Sequence, residues 1–260
     1  AILNAIVEHT ASDFPDGAYH CASFVEFHSE ELCGVPIADG NISKELIMVY
    51  GMAMEQSFSY SEGKLNQVGG SHMPVVITFD DGYESNDSLA YPILKKYGMK
   101  ATIFVIGVSV GKDTYKDTGE AMIPHFSLEQ AAEMEQSGLV DVESHGYDIH
   151  QVTGRDAEPI RKGVLPLAVE SDWDYADLLK EDCRKMAELL GKTPGVLAYP
   201  YGDCSELSEE VLGEMGVWAT VTITEKTNTI VRGLPQSLRQ MGRYYMKESI
   251  SGPELLEKLK

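Results

Sequence analysis

Apolar residues run along this chain in short bursts that end in polar, turn-forming positions, with stretches of helical spacing between them. Residues 75–79 (Val-Val-Ile-Thr-Phe) are rich in β-branched and aromatic side chains and predict a buried strand. In residues 88–97 the apolar positions fall at helical spacing, and residues 101–106 predict a second strand. Ser127 opens another helix, with Gln130 three residues on completing a capping-box pattern. Residues 140–143 predict a third strand. A long helix follows over residues 172–190, with Gly191 as its stop. Residues 196–199, 205–215 and 218–222 then give strand, helix, strand. Residues 151–169 break the alternation, being polar, Pro-containing and aperiodic, and read as an insertion over the mouth of a barrel. Strands alternating with helices predict an α/β fold built on a parallel barrel.

Chemistry-bearing residues cluster where these strands end. Asp80 and Asp81 follow the first strand and precede Gly82. Two adjacent carboxylates repel unless a cation or a shared proton stabilises them, which suggests that one holds a metal while the other manages a proton. Asp-Asp-Gly is also an ordinary turn signal. The third strand runs into Ser144-His145-Gly146-Tyr147-Asp148-Ile149-His150. Two His and one carboxylate could ligate a divalent metal and leave positions open for water and substrate. Leu197-Ala198-Tyr199-Pro200-Tyr201-Gly202 ends a further apolar stretch. Its Pro and Gly fix a turn that either aims a backbone N–H at developing negative charge or simply closes a strand.

Thr-Phe-Asp-Asp-Gly, Ser-His-Gly-Tyr-Asp-Ile-His and Tyr-Pro-Tyr-Gly, in this order, resemble the polysaccharide deacetylases of the NodB-homology type, carbohydrate esterase family four. The wide His-to-His gap and the Tyr-Pro-Tyr-Gly form look closer to the branch containing the poly-N-acetylglucosamine deacetylases. Softer matches are Ala90-Tyr91-Pro92-Ile93-Leu94, residues 100–107 and the late Leu238-Arg239-Gln240-Met241-Gly242-Arg243-Tyr244. The resemblance covers roughly residue 74 to the C-terminus. It implies a distorted, TIM-like (β/α) barrel of about seven strands, with residues 74–260 as the deacetylase domain. Residues 1–73 form an N-terminal segment that is either a native cap on the barrel or foreign to this domain, since Gly70-Ser71-His72-Met73 looks like a scar of tag cleavage.

Carried over position by position, the resemblance makes Asp81, His145 and His150 the ligands of a divalent metal, Zn2+ foremost with Co2+ or Ni2+ as alternatives. It makes Asp80 the catalytic base, gives the Tyr201 backbone N–H the oxyanion, and places Tyr147, Pro200 and Gly202 against substrate. The implied reaction is hydrolysis of the acetamide of N-acetylglucosamine units in a polysaccharide, with a xylan O-acetyl esterase and a non-catalytic glycan-binding domain as alternatives. Two departures stand out. Ala198 occupies the position where many relatives carry an Arg that contacts the base, and nothing after Trp218 resembles the Leu-x-His-Asp segment that supplies a general acid. His9, His72 and His125 are the unassigned histidines nearest the motifs, and a protonated Asp80 is itself a possible donor.

Composition limits partners more than it defines them. The 260-residue chain carries a formal net charge of -20, which argues against nucleic acid or an anionic membrane surface. A glycan that is neutral, or becomes cationic as acetyl groups leave, tolerates such a surface, and solubility alone also explains it. Cys21, Cys33, Cys183 and Cys204 are too scattered for a metal motif, although Cys21 and Cys33 could pair. No apolar run is long enough to cross a bilayer and no signal peptide is evident. The family's substrates imply an extracellular or cell-surface location, with any export segment lying outside this sequence. Oligomeric state is left open.

Overall fold

The computed structural model describes residues 19–27, 58–61, 64–67, 75–116, 118–150, 172–231 and 234–246, together with Glu254 and Glu257. Within them the chain forms an α/β fold on an eight-stranded sheet. Seven strands run parallel in the order β10 (Tyr244–Met246), β1 (Tyr19–Phe27), β4 (Val75–Phe79), β5 (Ala101–Val105), β6 (Val140–Ser144), β7 (Val196–Ala198) and β8 (Ala219–Val221). An eighth, β9 (Asn228–Val231), pairs antiparallel with β1, and β2 (Phe58–Ser61) with β3 (Lys64–Gln67) forms a separate hairpin. The segment holding β10 touches both ends of the path. Met241 bridges Val221 at the end of β8, while β10 lies along β1. The sheet is therefore curved round an interior.

The period of two along each strand sorts residues between that interior and the helices. Val76, Phe104, Ala198, Ala219, Val221, Ile230 and Met241 form one buried cluster. Ile77, Phe79, Ile103, Val105 and Val142 form another with Leu94 of α1 (Tyr91–Tyr97) and Met134 of α2 (Leu128–Gln136). Burying each Leu, Ile or Phe contributes about 1.5–3 kcal/mol, so the two clusters hold the strand ends rigidly in place. A third cluster packs α3 (Asp172–Leu190) and α4 (Glu206–Glu214) onto Leu197 and Tyr199.

Local sequence rules account for most element ends. Ser127 and Gln130 close the expected capping box at the start of α2, Ser205 and Ser208 do the same for α4, and Gly191 at φ 66° stops α3. The helix expected over residues 88–97 is shorter. Asn86–Ala90 is a wider π turn, because Pro92 has no N–H to donate one turn back and the Tyr91 N–H reaches Asn86 O instead. β1 falls in the N-terminal segment ahead of the motifs, and it pairs with both β4 and β10. The expected insertion at 151–169, His9, His72, Cys33 and hence any Cys21–Cys33 pair lie outside the described residues. Cys183 and Cys204 are free thiols.

Candidate active site

Asp80, Asp81, His145, His150 and Tyr201 converge at the C-terminal ends of β4, β6 and β7. Asp80 continues the inward parity of Val76 and Thr78, so its carboxylate faces the interior. Left-handed backbone at Asp81, φ 72°, turns the chain at once and brings the second carboxylate to the same opening. Asp81 Oδ1 stands 3.4 Å from Nε2 of both His145 and His150. One oxygen and two imidazole nitrogens lying within 4.8 Å of one another form a donor set that fits a divalent ion.

The imidazole tautomer follows from its other partner. His145 Nδ1 lies 2.7 Å from the Ala198 carbonyl, which can only accept, so Nδ1 carries the proton and Nε2 presents its lone pair to the site. Ala198, whose side chain replaces the expected Arg, thus contributes through its backbone. The His150 ring sits 4.8 Å from that of His145 and 5.0 Å from that of Tyr201.

The group that orients Asp80 comes from the far end of the chain. Arg243 Nη1 and Nη2 donate to Asp80 Oδ1 and Oδ2 at 2.7 Å each, a bidentate pair with the guanidinium 0% exposed. The same guanidinium donates through Nε to Thr222 O at 3.0 Å and through Nη1 to Thr78 Oγ1 at 3.3 Å, and lies 5.8 Å over the Phe104 ring. Gly242 lets the segment approach, since a Cβ there would meet Thr224 O at 2.2 Å. Asn228 clamps Gly242 with two 2.7 Å bonds. The only hint of Arg243 in the sequence is its place in the late Leu238–Tyr244 stretch.

Tyr201 has left-handed backbone, φ 59°, inside the Pro200–Gly202 turn, and its side chain is exposed. Gly202 packs under Ile223, where a Cβ would meet Cγ1 at 2.6 Å, and Pro200 is buried. The Tyr147 ring packs against Gly107 with Lys185 Nζ 5.9 Å from its centroid, and the Tyr147 N–H donates to Asp182 on α3. His125 is buried against Tyr83, and burial lowers its pKa to about 4, so it is neutral at pH 7 and has no imidazolium proton to give.

A sequence profile described as polysaccharide deacetylase matches residues 68–220. Over 155 residues the chain is 28% identical to the poly-beta-1,6-N-acetyl-D-glucosamine N-deacetylase of Staphylococcus aureus, covering 60% of this chain and 49% of that one. The chain spans about half, or less, of the length of the curated relatives it matches. Among solved structures, a de-N-acetylase from Aggregatibacter actinomycetemcomitans superposes with a TM-score of 0.69 at 20% identity, covering 92% of this chain and 100% of that one. IcaB from Ammonifex degensii gives 0.64 at 22% identity, covering 92% and 98%. These two likenesses establish the fold.

Proposed function

Since this chain belongs to the polysaccharide deacetylase family, we propose that it is a metal-dependent hydrolase that removes acetyl groups from N-acetylglucosamine units of a polysaccharide. The observation that carries the reading is the bidentate Asp80–Arg243 pair set directly beside the Asp81, His145 and His150 donor set. The relative's substrate, a β-1,6-linked N-acetylglucosamine polymer, supports the choice of glycan. A net charge of -20 suits a product that gains ammonium groups as acetyl groups leave. A polysaccharide substrate places the enzyme outside the cell or on its surface.

Asp81, His145 and His150 would hold the ion, Zn2+ foremost with Co2+ or Ni2+ as alternatives. When bound it supplies Lewis acidity, acidifying water and polarising a carbonyl. Asp80, aimed by Arg243, takes the proton from the attacking water. The backbone N–H of Tyr201, carried on its left-handed turn, donates to the oxyanion as the carbonyl becomes tetrahedral. Asp80, now protonated, returns the proton to the departing amine, which gives the missing general acid a home without a second histidine. Pro200 and Gly202 shape this turn. Arg243 lies beyond residues 68–220 and still belongs to the same site.

Acetate release tests the reading. Oligomers of β-1,6-linked N-acetylglucosamine should yield acetate in proportion to free amine, while acetylated xylan should not, and stripping the metal should stop the reaction until it is restored. Faster release from xylan transfers the site to ester hydrolysis, and glycan binding without acetate release makes it a lectin-like domain.

A further inference from the structure

The two imidazoles of the site are placed by different means. His145 ends just beyond β6, and the Ala198 carbonyl fixes its ring. His150 comes five positions later, so the location of its Nε2 depends on how the intervening turn is held. Amides of that turn converge on one side chain from another element. Tyr147 N–H donates to Asp182 Oδ2 and Asp148 N–H to Asp182 Oδ1, both at 2.8 Å, and the Ile149 amide adds a third bond. Consecutive backbone N–H groups closing on one carboxylate form an anion-holding nest, here with the anion built into the protein.

Asp182 is suited to this task by its place in the fold. It is 6% exposed and sits in the middle of α3, which packs onto Leu197 and Tyr199, so its carboxylate is a rigid point of reference. Gly146, at φ 84°, lets the turn begin. A Cβ there would meet Ile149 Cγ1 at 2.2 Å and Asp182 Oδ2 at 3.5 Å. At the outer side of the turn, Asp148 pairs with Lys116 at 2.8 Å, leaving the inner amides to Asp182.

We propose that Asp182 is a positioning residue that sets His150 against Asp81 and His145, and so determines how tightly the site holds its divalent ion. The inference rests on the metal reading under Proposed function. An Asn at this position has one acceptor oxygen and turns an NH2 group towards amide donors, so at least one buried N–H loses its acceptor and the turn shifts.

Zn2+ titration of the apo chain, with competition against a chromophoric chelator, tests this on the full chain without using activity. Asp182→Asn should weaken Zn2+ binding by roughly 10–100-fold and alter the visible absorption of the Co2+-loaded form, with the far-UV circular dichroism of the apo chain unchanged. Affinity reduced less than about fivefold in a folded variant overturns the inference and leaves the metal reading standing. A wild-type chain that binds neither Zn2+ nor Co2+ overturns both. Should Asp182→Asn fail to fold, Asp182→Glu, which keeps the charge but moves its oxygens by a methylene, is titrated against the same threshold.

Discussion

Arg243 grips Asp80 through two parallel N–H···O bonds of 2.7 Å although 163 positions separate the two residues. Lys keeps the charge at this position and loses the planar fork. Arg243→Lys is therefore expected to lower kcat roughly 10²-fold through misalignment of the carboxylate, with metal content unchanged by elemental analysis. Arg243→Met removes the buried counter-charge as well and should cost about 3–5 kcal/mol in urea unfolding. Full activity in Arg243→Lys would show that something else aims the base.

Asp80→Asn separates proton transfer from metal retention. The variant should keep its full complement of Zn2+ and lose turnover by roughly 10²–10⁴-fold in the acetate assay. Loss of metal in this variant would move Asp80 into the ligand set.

His150→Ala removes one of the three proposed ligands. The purified variant should contain little metal, and added Zn2+ should restore acetate release to chelator-treated wild type but not to the variant. Retention of stoichiometric, tightly bound Zn2+ would exclude His150 as a ligand.

Buried His125 gives the fold a sensitivity to acid. Burial depresses its pKa from 6.5 to about 4, so the unfolded chain binds this proton more readily than the folded one. The contribution is fully present above pH 6.5 and is lost as pH falls towards 4. Between pH 7 and pH 5 the loss is about 2 kcal/mol. His125→Phe should remove that part of the pH dependence in parallel urea titrations; identical slopes in the two proteins would refute it.

Legibility in the sequence followed the range of each interaction. Asp80, Asp81, His145 and His150 announce themselves because each pair sits within one strand-end loop, and Ser127 with Gln130 because a capping box spans three residues. The position of Asp81 required more, since only its left-handed backbone explains how neighbouring carboxylates share an opening. Asp182 looks like an ordinary charged residue in the sequence, and Arg243 is marked only by its place in the late Leu238–Tyr244 stretch. Their roles lie in contacts with Asp80 and with the amides of Tyr147 and Asp148, which the fold alone brings near. β1 mixes polar and apolar residues without a clear period, and its strand state is decided by three neighbours, β4, β9 and β10.

The segment of Met241 to Met246 joins β8 to β1 and carries Arg243 on the way. During synthesis the ribosome delivers Asp80, both histidines and the Tyr201 turn well before that arginine emerges. A nascent chain can thus carry every proposed ligand while the Asp80 carboxylate still lacks its arginine, which arrives just ahead of the strand that pairs with β1.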